Sequence, residues 1–306
     1  MVLPVAEKVP YDEFSMLHEN AEEFGIPYRP PVVRRRSVEL ADGRRLSALL
    51  WGQEPPELVF LHGGAQNAHT WDTVLLALGR PAVAVDLPGH GHSDGGRSGY
   101  LSATDNADDV AGAVSELAPQ AKAVVGMSLG GLTSLALAAR HPRLVRKLVL
   151  VDITPGVDAT KASAIAAFVN GPASFPDFDA ILARTIEHNP TRSVASLRRG
   201  ILHNAEQLDD GTWVWRYARH RTGVAGGDAG RRFEELATLW DAVSGLQVPL
   251  MLVRGMRPQS VVDDADEAEL LRRSPRARVE HVAEAGHSVQ GDTPVELAGL
   301  IADFVG

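Results

Sequence analysis

Short apolar runs alternate along most of this chain with longer segments whose apolar positions recur every three or four residues. The runs are Leu58-Val59-Phe60-Leu61, Ala82-Val83-Ala84-Val85, Ala123-Val124-Val125, Leu148-Val149-Leu150-Val151, Leu250-Met251-Leu252-Val253 and Val279–Val282. They are apolar at odd and even positions alike, as strands are when helices cover both faces of a parallel sheet. Between and after them the spacing predicts helices over Trp71–Leu78, Thr104–Leu117, Leu129–Arg140, Asp264–Arg273 and Pro294–Phe304. Two further strands, Val33–Leu40 and Arg45–Trp51, flank Asp42-Gly43, a pair suited to a tight hairpin turn. The expected fold is therefore α/β, a mostly parallel, doubly wound sheet.

The rhythm fails at both ends of the pattern. Residues 1–31 are polar and close on Pro30-Pro31, which reads as an N-terminal extension. Residues 155–242 show helical spacing with no clear strand run, and carry Phe168, Phe175, Phe178, Trp213, Trp215 and Tyr217. An insertion there would sit above the carboxyl ends of the strands, where open α/β sheets bind ligands, and act as a helical cap or lid. The core is then 32–154 together with 243–306.

Composition removes several classes of function. With 44% hydrophobic and 23% charged residues the 306-residue chain is an ordinary globular sequence, not a disordered one. A net charge of -9 disfavours a nucleic-acid partner. No cysteine is present, so disulfides, thiolate metal sites and cysteine nucleophiles are excluded. Met1 to Phe14 lack a basic region followed by an apolar one, and no apolar stretch approaches the ~20 residues of a membrane helix. These features lead to the expectation of a cytoplasmic protein without a membrane span.

The strongest chemical signal is Val124-Val125-Gly126-Met127-Ser128-Leu129-Gly130-Gly131. A buried strand runs into Gly-x-Ser-x-Gly and a helix of small and apolar residues follows. This arrangement puts Ser128 on a sharp strand-to-helix turn, where Gly126 and Gly130 avoid collisions and the Leu129 N–H can meet a reacting carbonyl.

On this motif the chain resembles the α/β-hydrolase superfamily, from Val33 to Phe304. Further matching blocks are Leu61-His62-Gly63-Gly64, Asp86-Leu87-Pro88-Gly89-His90-Gly91-His92-Ser93, Asp152-Ile153-Thr154-Pro155 and Ala285-Gly286-His287-Ser288. Within it the chain is similar to serine esterases with Asp-Ile-x-Pro after the sixth strand, and to mycobacterial cytosolic esterases whose cap reads Trp-x-Trp-Arg, here Trp213 to Arg216.

The resemblance implies a fold with an inserted cap and a Ser-His-Asp triad. His287, in a loop after the last strand, is the expected base, needed because a serine hydroxyl is a poor nucleophile until its proton is taken. The acid is expected at Asp152, with Asp264 or Asp266 as the alternatives. Many family members carry it after the seventh strand, but here that turn, Arg254 to Val261, has no carboxylate. Asp264 also has a competing use as a helix N-cap. The oxyanion hole is expected from the N–H groups of Leu129 and Gly64, with His62 organising the second loop.

His90-Gly91-His92-Ser93-Asp94 spells a metal-ligand pattern, yet Gly95 stands where that signature needs a further histidine, so no metal and no cofactor is expected. The expected activity is hydrolysis of small to medium acyl esters through an acyl-enzyme. The same groups would serve a carbon–carbon bond hydrolase, a thioesterase or a lactonase. A ligand receptor on the same fold would need neither Ser128 nor His287. Oligomeric state is left open.

Overall fold

A computed structural model describes residues 8–96, 102–158, 160–189, 192–217 and 229–306. Its centre is an eight-stranded sheet. In chain order the strands are β1 (Val33–Glu39), β2 (Arg45–Trp51), β3 (Leu58–Leu61), β4 (Ala82–Val85), β5 (Ala123–Met127), β6 (Leu148–Val151), β10 (Leu250–Gly255) and β11 (Arg278–Val282). They lie side by side as β1-β2-β4-β3-β5-β6-β10-β11. β1 and β2 form the antiparallel hairpin, β2 pairs antiparallel with β4, and all later neighbours are parallel. Gly43 takes the positive φ, 82°, that the hairpin turn requires.

Successive side chains of a strand point to opposite faces, and both faces are buried here. Val59, Leu61, Val83, Val85, Val124, Leu148 and Leu150 join one apolar cluster with α3 (Ala103–Leu117) and α4 (Leu129–Arg140). Leu58, Phe60, Ala82, Ala84, Val125, Val149 and Val151 join the other, with α2 (Asp72–Leu78) and the final helix α10 (Pro294–Val305). The apolar runs of the sequence had no polar face because the fold leaves none of these positions in water.

The segment 155–242 corrects the sequence reading in one respect. It contains α5 (Ser163–Val169), α6 (Phe178–His188), α7 (Val194–Asn204) and α8 (Ala229–Gly245), but also three short strands. β7 (Ser174–Phe175), β8 (Ala205–Gln207) and β9 (Trp213–Trp215) form an antiparallel sheet in the order β7-β9-β8. Runs of two or three residues are too short to show a period of two. Phe175, Ile181, Ile201, Leu202, Trp213, Trp215 and Tyr217 form a third apolar cluster, separate from the sheet's own. Arg216 pairs with Glu206 at 3.0 Å, within this segment.

The polar N-terminal stretch is not all irregular. It holds α1 (Leu17–Glu23), whose Leu17 and Ala21 are buried. From α1, Asn20 accepts a 2.8 Å hydrogen bond from the buried Arg199 of α7, and Glu23 pairs with the same guanidinium. Leu17 packs in the cluster that contains α2, so α1 ties α7 to the core.

Beside it Glu13 accepts from Arg35 and lies 3.0 Å from His69, whose other ring nitrogen is 2.8 Å from Asp72. Burial alone would lower the His69 pKa, but the two carboxylates outweigh it and hold the pKa at about 9, up from 6.5. The folded state therefore binds this proton more tightly than the unfolded chain. Its contribution is complete below about pH 6.5 and disappears as pH rises through about 9. We expect wild-type stability in urea to fall between pH 7 and 9.5 by about 1–3 kcal/mol more than that of His69→Gln. Parallel pH profiles for the two proteins would show His69 to be uninvolved.

No helix among the described residues is long and apolar enough to cross a membrane.

Candidate active site

β5, an inner strand of the sheet, delivers Ser128 at its carboxyl end with φ 52° and ψ -120°, a conformation that a residue with a side chain adopts only under strain. Its neighbours show why glycine flanks it. A Cβ on Gly126 would lie 2.4 Å from the Gly130 carbonyl oxygen, and one on Gly130 would lie 2.2 Å from that of Leu61. Gly131 is equally constrained, 2.3 Å from Ile153 Cγ2. α4 starts directly after Ser128, whose carbonyl accepts from Leu132 N–H at 3.0 Å. The Leu129 N–H is thus in the first helical turn, where no intrahelical carbonyl can take it.

The loop after β3 lies against this turn. A Cβ on Gly63 would stand 3.2 Å from Ser128 Cβ. His62 is fully buried and clamps the loop: Nδ1 lies 2.7 Å from the Gly63 carbonyl and Nε2 accepts from Leu87 N–H at 2.9 Å. Those bonds assign the proton to Nδ1, and burial keeps the ring neutral by lowering its pKa. Gly63 N–H donates to Gln66 Oε1 at 3.1 Å and Ala65 N–H to His90 Nε2 at 3.1 Å. Gly64 N–H, between them, has no such partner among the described residues.

Asp152 follows β6 directly, at φ 47°, and is fully buried. Four donors converge on its carboxylate. Oδ1 accepts from Gly255 N–H at 2.9 Å and from Ser260 Oγ at 2.6 Å. Oδ2 accepts from Val261 N–H at 3.1 Å and faces His287 Nδ1 at 2.9 Å. A buried carboxylate is costly unless its lone pairs are met, and here they are.

The turn that lacks an acid has become the cradle for an acid on the neighbouring strand. Ser260 was not anticipated; the available signal was a hydroxyl in a turn with no carboxylate. Gly255 and Gly286 let the two loops touch, since a Cβ on Gly255 would lie 2.2 Å from the Gly286 carbonyl oxygen.

The two alternative acids are engaged elsewhere. Asp264 is 96% exposed at its side chain and pairs with Arg254 at 2.8 Å. Asp266 binds Lys161 at 2.7 Å and closes a capping box on helix α9 (Asp264–Arg273). The N-cap of that helix is Asp263 rather than Asp264. One residue decides this, because only Asp263 has the extended backbone of a cap.

Ser128 Oγ and His287 share no hydrogen bond in this structure, as is common before substrate tightens such a site. His287 is nearly buried, with its Nε2 edge left for that contact.

Within the metal-like pattern, His90 uses both ring nitrogens, toward Ala65 N–H and the Pro88 carbonyl at 3.0 Å, while His92 is exposed. Among the described residues the group that could hold a metal is His69, Asp72 and His203. The two rings stack at 3.8 Å and 11°, so their lone pairs run side by side instead of converging on one ion.

Of the aromatics in 155–242, Phe168 and Trp215 border a cavity of about 190 Å³ that also touches Ala65, Gln66 and Gln290. Phe178 and Trp213 instead pack on each other at 5.1 Å.

Known proteins resemble this chain over nearly all of its length. A family described as alpha/beta hydrolase fold matches residues 56–294. The esterase Rv0045c of Mycobacterium tuberculosis is 48% identical over 297 residues, covering 95% of this chain and 94% of that protein. A crystal structure of that esterase superposes with a TM-score of 0.82 at 46% identity, over 98% of this chain and 99% of that one. A 2-(acetamidomethylene)succinate hydrolase of Mesorhizobium japonicum is 30% identical, covering 82% of this chain and 88% of its own.

Proposed function

The chain belongs to the α/β-hydrolase fold family, and from that premise we propose that it is a serine-dependent carboxylic-ester hydrolase with the triad Ser128, His287 and Asp152. Ser128 Oγ attacks the ester carbonyl while its proton passes to His287 Nε2. Asp152 keeps the other imidazole proton on Nδ1 and balances the charge that the ring acquires. The N–H groups of Gly64 and Leu129 receive the oxyanion, and each such donor typically contributes ~10²–10³ in rate. The C–O bond then breaks, His287 protonates the leaving alcohol, and water repeats the sequence on the acyl-enzyme to release the acid. Residues 155–242 form the lid of this site, with Phe168 and Trp215 facing the substrate.

The observation that carries the reading is the pairing of His287 Nδ1 with a fully satisfied Asp152. A structural ion pair has no need of a neighbour held at φ 52°. The similarity to an esterase of M. tuberculosis adds weight for ester over amide or carbon–carbon substrates.

A fluorophosphonate probe tests the proposal, because only an activated serine reacts with it. Stoichiometric labelling at Ser128, with turnover of short-chain nitrophenyl esters, is expected. A folded protein that takes up no label would instead favour a ligand receptor. Labelling with thioester or diketone turnover thousands of times faster than ester turnover would move the reaction, not the triad.

A further inference from the structure

The cavity bordered by Phe168 and Trp215 is charged in an unexpected way for a chain of net charge -9. It is lined by Arg192, Arg199 and His69, and by no aspartate or glutamate among the described residues. Arg199 and His69 are already matched to Glu23 and to Glu13 with Asp72. Arg192 is not. Among the described residues it has no carboxylate within ion-pair distance; its side chain donates to Ser196 Oγ at 2.6 Å. The acids that act on it from further off are Asp292 and Glu23. Asp292 accepts from Gly286 N–H, and Glu23 is held by Arg199 and Ser193. Burial pushes the Arg192 pKa below its ordinary value, the mark of a cation short of compensation.

The guanidinium has a fitted seat. It rests on Gly291, where a Cβ would lie 2.2 Å from Nη1. Gly291 is four residues beyond His287. Beside it Gln290 is 2% exposed, lines the cavity, and leaves its buried Oε1 without a partner. The lining also takes in Ala65, next to Gly64, and Gln66, which holds Gly63 next to Ser128. The same lining includes Arg192, so an ester with its carbonyl at Ser128 and one end in this cavity would bring that end to Arg192.

We infer that Arg192 is a specificity residue that binds a carboxylate on the substrate, so that the enzyme takes esters carrying a second, ionised acid group, such as half-esters of dicarboxylic acids. Guanidinium and carboxylate match as a two-point fork. A site that leaves a cation unpaired when the neutral analogue binds discriminates against that analogue. This rests on the ester-hydrolase reading above.

The test is calorimetric titration of the non-turning-over Ser128→Ala protein with monoethyl glutarate and with diethyl glutarate. The monoester is expected to bind at least tenfold more tightly. Adding Arg192→Met should erase that ratio, and Arg192→Lys should restore part of it. Gly291→Ala, which keeps the charge but displaces it, should also lower the ratio. Equal binding of the two esters, or a ratio that survives in Arg192→Met, would overturn the inference. Fluorophosphonate labelling of the parent protein is independent of this result. A silent label with a retained ratio sinks the serine chemistry and leaves the subsite standing.

Discussion

Ser128→Ala is expected to lower ester turnover by about 10⁴-fold or more while the protein remains folded. In other hydrolases with this chemistry, loss of the nucleophile leaves only what the oxyanion donors and binding supply. The structure adds a second, opposite effect on stability. Ser128 sits at φ 52° and ψ -120°, where any side chain is strained. Glycine there should relax the turn, and Ser128→Gly is expected to unfold about 1 kcal/mol less readily than Ser128→Ala. Nitrophenyl ester kinetics and urea denaturation measure the two effects. Turnover within tenfold of wild type in either variant would remove Ser128 from the mechanism.

Asp152→Asn should reduce kcat by about 10⁴-fold, the size of effect seen when a triad acid is made neutral and the imidazole is held in the wrong tautomer. It should also destabilise the fold. The carboxylate receives Gly255 N–H, Ser260 O–H, Val261 N–H and His287 at once. An amide offers one acceptor oxygen, and its NH₂ would face donors that need an acceptor. A loss of about 1–3 kcal/mol follows from leaving such a group unmatched. Asp264→Asn is the contrast: its side chain is exposed and among the described residues is bound only to Arg254, so turnover should stay within about twofold, as surface changes usually do. If Asp264→Asn were the crippled variant and Asp152→Asn active, the acid would have been misplaced.

Glycine placement and apolar runs make the sheet and the Ser128 turn readable in the chain alone. Continuous burial on both faces forces an apolar run, and a strand that turns sharply into a helix forces small residues, whatever the rest of the chain does. β3, β4, β6, α4 and α9 fall on the residues that the pattern predicts. Short strands carry no such imprint. β7, β8 and β9 span two or three residues each and were invisible among helical spacings. α1 was hidden as well, because just two of its seven residues are buried and the remainder read as a polar tail.

Alone, the amino-acid order determined the α/β architecture, the serine on its turn and the histidine that follows the last strand, since each is a local pattern or a position in chain order. It left Asp152, Asp264 and Asp266 in competition. Only the tertiary structure decides what surrounds each carboxylate, because donors from Gly255, Ser260 and Val261 meet Asp152 across about a hundred residues of chain. The same holds for Arg192, an unremarkable surface-type residue in sequence. Its unmatched charge exists only because folding brings Gly291 beneath it and commits the nearby acids to other partners.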